Sequence, residues 1–299
     1  MSLAPRAVLV HRATEYEELV ARHGTHGQAA FFLSSRGRSI EEVVERHHRM
    51  ERALALVSAA VPLSWRRAQV ERADLDRFLF GPEDVVVAVG QDGLVANVAQ
   101  YVGDRPVVGV DADPGRNPGV LVRHRPADAA RLLPAAFSAS AGGDELSMVE
   151  AVTDDTQRLV ALNEIYVGAA GHRTARYRLG LDGDRGAVET QASSGVLIGT
   201  GTGASGWLRS VWQDRSTEWR LPHPTEARLA WFVREAWPSP TTGTRLNAGE
   251  LSADARLTVT VESERLVAFG DGMEGDALEL TWGQTIRLGL CSTKLRLIG

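Results

Sequence analysis

The chain has 299 residues, of which 43% are hydrophobic and 24% charged, with a formal net charge of −5. That is enough to bury the core of two globular domains, and it carries no basic footprint for nucleic acid. No apolar run approaches the roughly 18 residues of a membrane span, the N-terminus has no signal-peptide core, and Cys291 alone rules out an internal disulfide, so a cytoplasmic compartment is expected.

In chain order, Ala7–Val10 predicts a short strand, and Thr14 with Glu17 has capping-box spacing ahead of a helix to about His23. Gln28–Leu33 predicts a second strand. Ser39 and Glu42 repeat the capping spacing and open a long helix that Pro62 closes; its His47 and His48 read as a solvated face. A strand at Trp65–Val70 and a short helix at Asp74–Phe80 follow. Val85–Val89 is a β-branched apolar run, the pattern of a buried parallel strand. Gly90–Gly93 is a glycine-bounded turn, after which Leu94, Val95, Val98, Ala99 and Val102 recur at helical spacing. A helix that begins directly behind such a turn presents unpaired amides and a positive dipole end, which suits an anion, and Asp92 stands on the same turn. By itself the stretch fits a plain strand–helix connection equally well. Another strand is predicted at Pro106–Val110, and the loop Asp111–Gly119 behind it reads first as two surface turns.

The character then changes. Ala127–Phe137 is helical, Ala139–Gly143 is a small-residue break, and strands are predicted at Leu146–Val152, Arg158–Val167, Thr174–Leu181, Ala187–Gln191, Val196–Thr200, Leu257–Val261, Leu266–Phe269 and Ile286–Leu290. Asp182-Gly183-Asp184 reads as a hairpin turn. Residues 212–250 carry Pro222, Pro224, Pro238 and Pro240 and read as loop-rich. The expected organisation is an α/β domain with a largely parallel sheet over 1–122, a β-rich domain over 123–285, and a tail, 286–299, returning to the first.

Lys294 is the only lysine, which excludes a Walker phosphate loop, Schiff-base catalysis and protein-kinase chemistry. Bound phosphates must therefore rely on backbone amides, arginine or a metal ion. Asn163 and Glu164 interrupt an apolar strand, which is unfavourable without partners and hints at a ligand, although an edge strand accounts for them too. Gly201-Thr-Gly203-Ala-Ser-Gly206 formally matches a dinucleotide fingerprint, but a polar, proline-bounded segment follows where that fingerprint needs a second strand. It reads instead as a hydroxyl-rich loop beside a nucleotide, with Thr200, Thr202 and Ser205 as hydrogen-bonding groups and Trp207 as a stacking face; a glycine-rich hairpin fits as well.

Taken in order, Gly90-Gln91-Asp92-Gly93-Leu94, Asn163-Glu164, Thr200-Gly201-Thr202-Gly203-Ala204-Ser205-Gly206-Trp207 and Asp271-Gly272 resemble the motifs of the NAD kinase family. Ser193-Ser194-Gly195 and Asp113-Pro-Gly-Arg are closer to its mitochondrial-type branch. The resemblance implies a Rossmann-like α/β domain followed by a β-sandwich-like domain, with the acceptor dinucleotide bound between them. It implies a kinase that moves a phosphoryl group from ATP or polyphosphate to the adenosine ribose 2′-hydroxyl of NAD or NADH, with Mg²⁺. Asp92 is then the catalytic base, Gly90, Gln91 and Gly93 border the donor phosphates, and Asn163, Glu164, Ser194, Thr200, Thr202, Ser205 and Trp207 hold the acceptor. No residue is assigned to a metal, and the resemblance implies a homodimer or homotetramer. Gln91 replaces a family glycine and Leu94 a family hydroxyl; these departures motivate an alternative, a non-catalytic NAD(P)-binding member that has lost donor binding. A kinase of another acceptor, such as a lipid, is a further one.

Overall fold

A computed structural model describes residues 4–116, 119–138, 142–181, 187–215 and 219–299. The expected hairpin at 182–184 and parts of the expected breaks at 117–118 and 139–141 lie outside the described residues. The chain divides into two compact units, Met1–Asp144 with Arg296–Gly299, and Glu145–Leu295. The sequence reading put the break near residue 122. The first unit runs further because α5 (Ala129–Phe137) buries Ala129, Leu132, Leu133 and Ala136 in the core of the parallel sheet.

In the first unit β1 (Arg6–His11) leads to α1 (Glu15–His23), α2 (His26–Ser34) and α3 (Ile40–Ala60). Thr14 and Glu17 close a complete capping box at the start of α1. The strand expected at Gln28–Leu33 is in fact α2. The Thr25 side chain accepts a hydrogen bond from the Gln28 amide and caps a helix, and Ala29 and Leu33, four residues apart, fill one buried stripe. β2 (Arg66–Glu71) precedes a short 3₁₀ turn, and then come β3 (Asp84–Gly90), α4 (Asp92–Val102) and β4 (Pro106–Asp111). Every residue of β3 is buried, as its unbroken apolar run requires. Asp84, 2% exposed, is held by both Nε and Nη2 of Arg6, a bidentate pair that offsets its desolvation. β1 pairs in parallel with β2 and β3, and β3 with β4.

The strand expected at Leu146–Val152 is two, β5 (Gly143–Leu146) and β6 (Val149–Thr153). The one expected at Arg158–Val167 is also two, β7 (Arg158–Ala161) and β8 (Glu164–Gly168). Next come β9 (Ala175–Leu181), β10 (Val188–Ser193), β11 (Gly195–Gly199) and α6 (Trp207–Asp214). The proline-bounded stretch contains β12 (Leu229–Arg234) and β13 (Ala248–Leu251). β14 (Arg256–Val261), β15 (Arg265–Gly270), β16 (Leu278–Thr281), β17 (Thr285–Leu290) and β18 (Leu295–Ile298) complete the chain. The second unit has two six-stranded sheets, β10-β9-β14-β17-β6-β7 and β13-β12-β11-β8-β15-β16, with one apolar core drawing residues from both. β18 pairs in parallel with β4.

Candidate functional site

One candidate site lies in the first unit, where β3 runs into α4. The expected four-residue turn is shorter than predicted: β3 extends through Gly90, Gln91 stands at the N-cap position of α4 without a side-chain capping bond, and Asp92 is already the first helical residue. Gln91 and Gly93 are exposed, and a Cβ on Gly93 would meet nothing within 4 Å, so the helix start is open there. Leu94 is buried and faces the core rather than a ligand. A Cβ on Gly90 would press on the Leu94 side chain at 3.1 Å.

Asp92 does not project freely. Its Oδ1 accepts the Leu121 amide at 2.8 Å and the Val122 amide at 2.9 Å, and its Oδ2 accepts the Val120 amide at 2.9 Å. The carboxylate thus pins the loop behind β4 to the start of α4. A carboxylate offers about four acceptor positions, so three amides leave one, on Oδ2. Among the nearby carboxylates, Asp111 accepts the Asp113 amide, and Asp113 pairs with Arg49 and Arg116.

A separate candidate lies in the second unit and is built on a break rather than on a strand. β7 belongs to one sheet and β8 to the other, and the chain crosses over at Leu162-Asn163. Asn163 and Glu164 are therefore not alternating residues of one strand, as the sequence reading had assumed. Asp271 holds this corner: its Oδ2 accepts the Leu162 amide at 2.8 Å, and its Oδ1 accepts those of Asn163 at 2.7 Å and Glu164 at 3.4 Å. Asp271 itself has φ of 51°, a left-handed conformation that aspartate tolerates better than most residues.

The 199–206 segment packs on the same corner. The Thr200 amide donates to the Asn163 carbonyl at 2.9 Å, and the Thr200 hydroxyl donates to the Leu162 carbonyl at 2.6 Å. Gly203 is required by contact: a Cβ there would lie 2.6 Å from the Asn163 oxygen and 2.9 Å from Glu164 Oε2. Glu164 is largely enclosed, and its carboxyl is pushed up to about 7, first by burial and then by the charge of Asp271. A carboxyl raised in this way can donate as well as accept a hydrogen bond, which suits a hydroxyl-bearing ligand.

The remaining predicted residues divide clearly. The hydroxyls of Thr200 and Ser205 are spent internally, Ser205 donating to the Thr202 carbonyl at 3.1 Å. Thr202 Oγ1 is buried with no hydrogen-bond partner, the kind of orphan that a ligand group satisfies. Trp207 is half-buried; Tyr166 stacks on it at 5.6 Å and the Arg234 guanidinium lies 5.2 Å from its ring centre, so it belongs to an aromatic cluster rather than standing as an open face. Ser194 is fixed through its backbone, its amide donating to Arg234 and its carbonyl accepting the Tyr166 hydroxyl at 2.7 Å. After Gly201–Gly206 the chain makes α6 and then β12, which runs antiparallel to β11, so no dinucleotide-fingerprint unit forms. Sequence reasoning named Asp271-Gly272 as a motif without giving Asp271 a role, and it did not single out Tyr166. The signal for Asp271 was present, an Asp-Gly pair at a position needing positive φ.

No family model matches the chain. NAD kinase 2, mitochondrial, of Rattus norvegicus is 25% identical over 258 residues, which cover 69% of this chain and 60% of that protein. The chain therefore spans less than two thirds of that relative's length. Yeast NADH kinase, solved in complex with NADH, superposes with a TM-score of 0.60 at 12% identity, covering 100% of this chain and 84% of that one. An NAD kinase from Archaeoglobus fulgidus, solved in complex with ATP, gives 0.57 at 15% identity, covering 98% and 93%. The fold is that of the solved NAD and NADH kinases, and the sequence similarity is to a mitochondrial NAD kinase 2.

Proposed function

We propose that the chain is an NAD kinase, transferring a phosphoryl group from ATP or polyphosphate to the 2′-hydroxyl of the adenosine ribose of NAD or NADH. The observation that carries this reading is the corner at Asn163-Glu164, where Asp271 holds the backbone, Gly203 packs against a Glu164 carboxyl poised near neutrality, and the adjoining 199–206 segment carries the orphaned Thr202 hydroxyl. The names and ligands of the two structural neighbours and of the rat relative support the same substrates. In this reading the hydroxyl proton passes to the remaining lone pair of Asp92 Oδ2. The ribose oxygen bonds to the terminal phosphorus of ATP, and the bond to the bridging oxygen breaks, releasing ADP. The open face over Gly93 is where donor phosphates would approach the amides of α4.

Among the described residues, the carboxylates around Asp92 do not form a dedicated Mg²⁺ cage. Asp92, Asp111 and Asp113 already hold amides or arginines, so an ion would be carried by the phosphates themselves. Incubating purified protein with NAD or NADH, Mg²⁺ and either ATP or polyphosphate should give NADP or NADPH; no product with either donor overturns the reading. The homo-oligomer implied by the resemblance and the cytoplasmic location expected from composition belong to the same proposal, and light scattering and cell fractionation test them.

A second reading is favoured by the Asp92 contacts. A carboxylate committed to three amides, beside an exposed Gln91 and a buried Leu94, fits a non-catalytic NAD(P)-binding protein. Calorimetry separates the two, since saturable NAD or NADP binding with no heat from ATP–Mg²⁺ would favour the second.

A further inference from the structure

We propose that His47, His48 and Glu51 on α3 form a binding site for a divalent transition metal of the zinc class. This site is independent of the kinase reading. One ligand atom from each of the three side chains can be chosen so that all lie within 4.8 Å of one another. His47 Nε2 is 3.5 Å from Glu51 Oε1, and His48 Nδ1 is 3.0 Å from Glu51 Oε2. Tetrahedral zinc with metal–ligand distances near 2.0–2.2 Å asks for ligand atoms about 3.3 Å apart. The two spacings end on different oxygens of Glu51, so the carboxylate serves both by chelating, and the two imidazoles, within 4.8 Å, close by side-chain rotation. Two imidazoles and a carboxylate also match the nitrogen and oxygen preference of zinc, nickel or cobalt rather than that of magnesium or calcium.

The tautomer of His47 is fixed from outside the trio. Thr14 Oγ1 donates its one proton to Glu17 Oε2 at 2.9 Å, and it accepts the Glu17 amide at 3.3 Å. Its contact with His47 Nδ1, at 2.9 Å, must then be accepted from an Nδ1–H. Nε2 is left to face Glu51, and a hydroxyl behind the ring orients it as the outer partners of metal-ligating histidines do. His47 is largely buried while His48 and Glu51 are exposed, so the trio has one rigid member and a solvent-facing approach. The rival arrangement is a plain ion pair, with a proton on Nε2 and Glu51 as its partner.

The test is isothermal calorimetry of the full-length, tag-free protein with Zn²⁺, repeated with Co²⁺ and read in the visible spectrum. One site per chain is expected, with affinity falling at least about 10-fold in Glu51→Gln and in His48→Ala and unchanged in His223→Asn. Both altered side chains are exposed, so the variants should fold, and circular dichroism checks that they do. Intense tetrahedral cobalt bands that disappear in His47→Gln would support the assignment. The absence of binding, or binding that persists in both Glu51→Gln and His48→Ala, overturns it in favour of the ion pair.

Discussion

At the residue scale two carboxylates carry opposite burdens. Asp92 is surrounded by donors, and replacing it by asparagine turns one acceptor oxygen into a donor facing an amide. With Oδ1 kept for Leu121 and Val122, the amide that loses its partner is that of exposed Val120, at a cost of about 0.5–1.5 kcal/mol. Asp92→Asn should therefore lower the melting temperature as well as slow turnover by about 10²–10⁴ if Asp92 is also the base. Thermal unfolding and single-turnover NADP formation read the two effects separately: loss of stability with turnover kept within 10-fold would make Asp92 an anchor only. Glu164 is the reverse case. Its folded pKa, about 7, lies above the ordinary carboxylate value, because burial and Asp271 disfavour the charged form. The stability it contributes is fully present below about pH 4.5 and is lost as pH rises through about 7. Glu164→Gln removes that ionisation, so unfolding free energy should fall less between pH 5 and 8 than in the parent. The difference is of order 2–3 kcal/mol, measurable by urea denaturation across that range. Parallel curves for parent and variant would show that Glu164 titrates normally.

At the scale of elements, the glycines offer a cleaner probe of the donor site than the carboxylates do. Gly93 is exposed in the first turn of α4, with space around its missing side chain. Gly93→Ala should leave folding unchanged or improve it by about 0.5–1 kcal/mol through helix propensity. If donor phosphates approach there, kcat/KM for ATP falls at least about 10-fold while NAD binding holds; unchanged kinetics would remove that face from the reading. Gly203→Ala should behave differently, since the Cβ would press into the Asn163 carbonyl and the Glu164 carboxyl. A destabilisation of about 1–3 kcal/mol is expected, together with weaker NAD binding by calorimetry. How far such elements were legible follows from their physics. β3 and α4 announce themselves because an unbroken β-branched run and a 3.6-residue apolar period have few other solutions. α2 was misread because Gln28–Leu33 is too short and too evenly apolar for either period to show, and its decisive feature is the Thr25 cap. The break between β7 and β8 was hidden because it depends on Asp271, more than a hundred positions away.

At the scale of the whole molecule, the parallel sheet of the first unit is finished by the last residues of the chain. The alternation of strands and helices in the first half and the run of strands in the second made the two-layer plan readable. β12 escaped notice because its apolar run, Leu229–Val233, sits within a proline-marked stretch. The place of β18 is a matter of topology rather than of composition. It stands between β4 and β5 in the sheet order, and Leu295, Leu297 and Ile298 are fully buried. Without it β4 would present a row of unpaired amides and carbonyls. Leu297→Ala should cost about 2–5 kcal/mol, and its effect should be local, because Leu297 pairs directly with Val107. Hydrogen exchange tests this: amides of β3 and β4, at Val86–Val89 and Val107–Val110, should lose protection, while those of β14 and β17 keep theirs. Equal loss at Val259 and Leu288 would mean that this strand supports the whole chain rather than the parallel sheet alone.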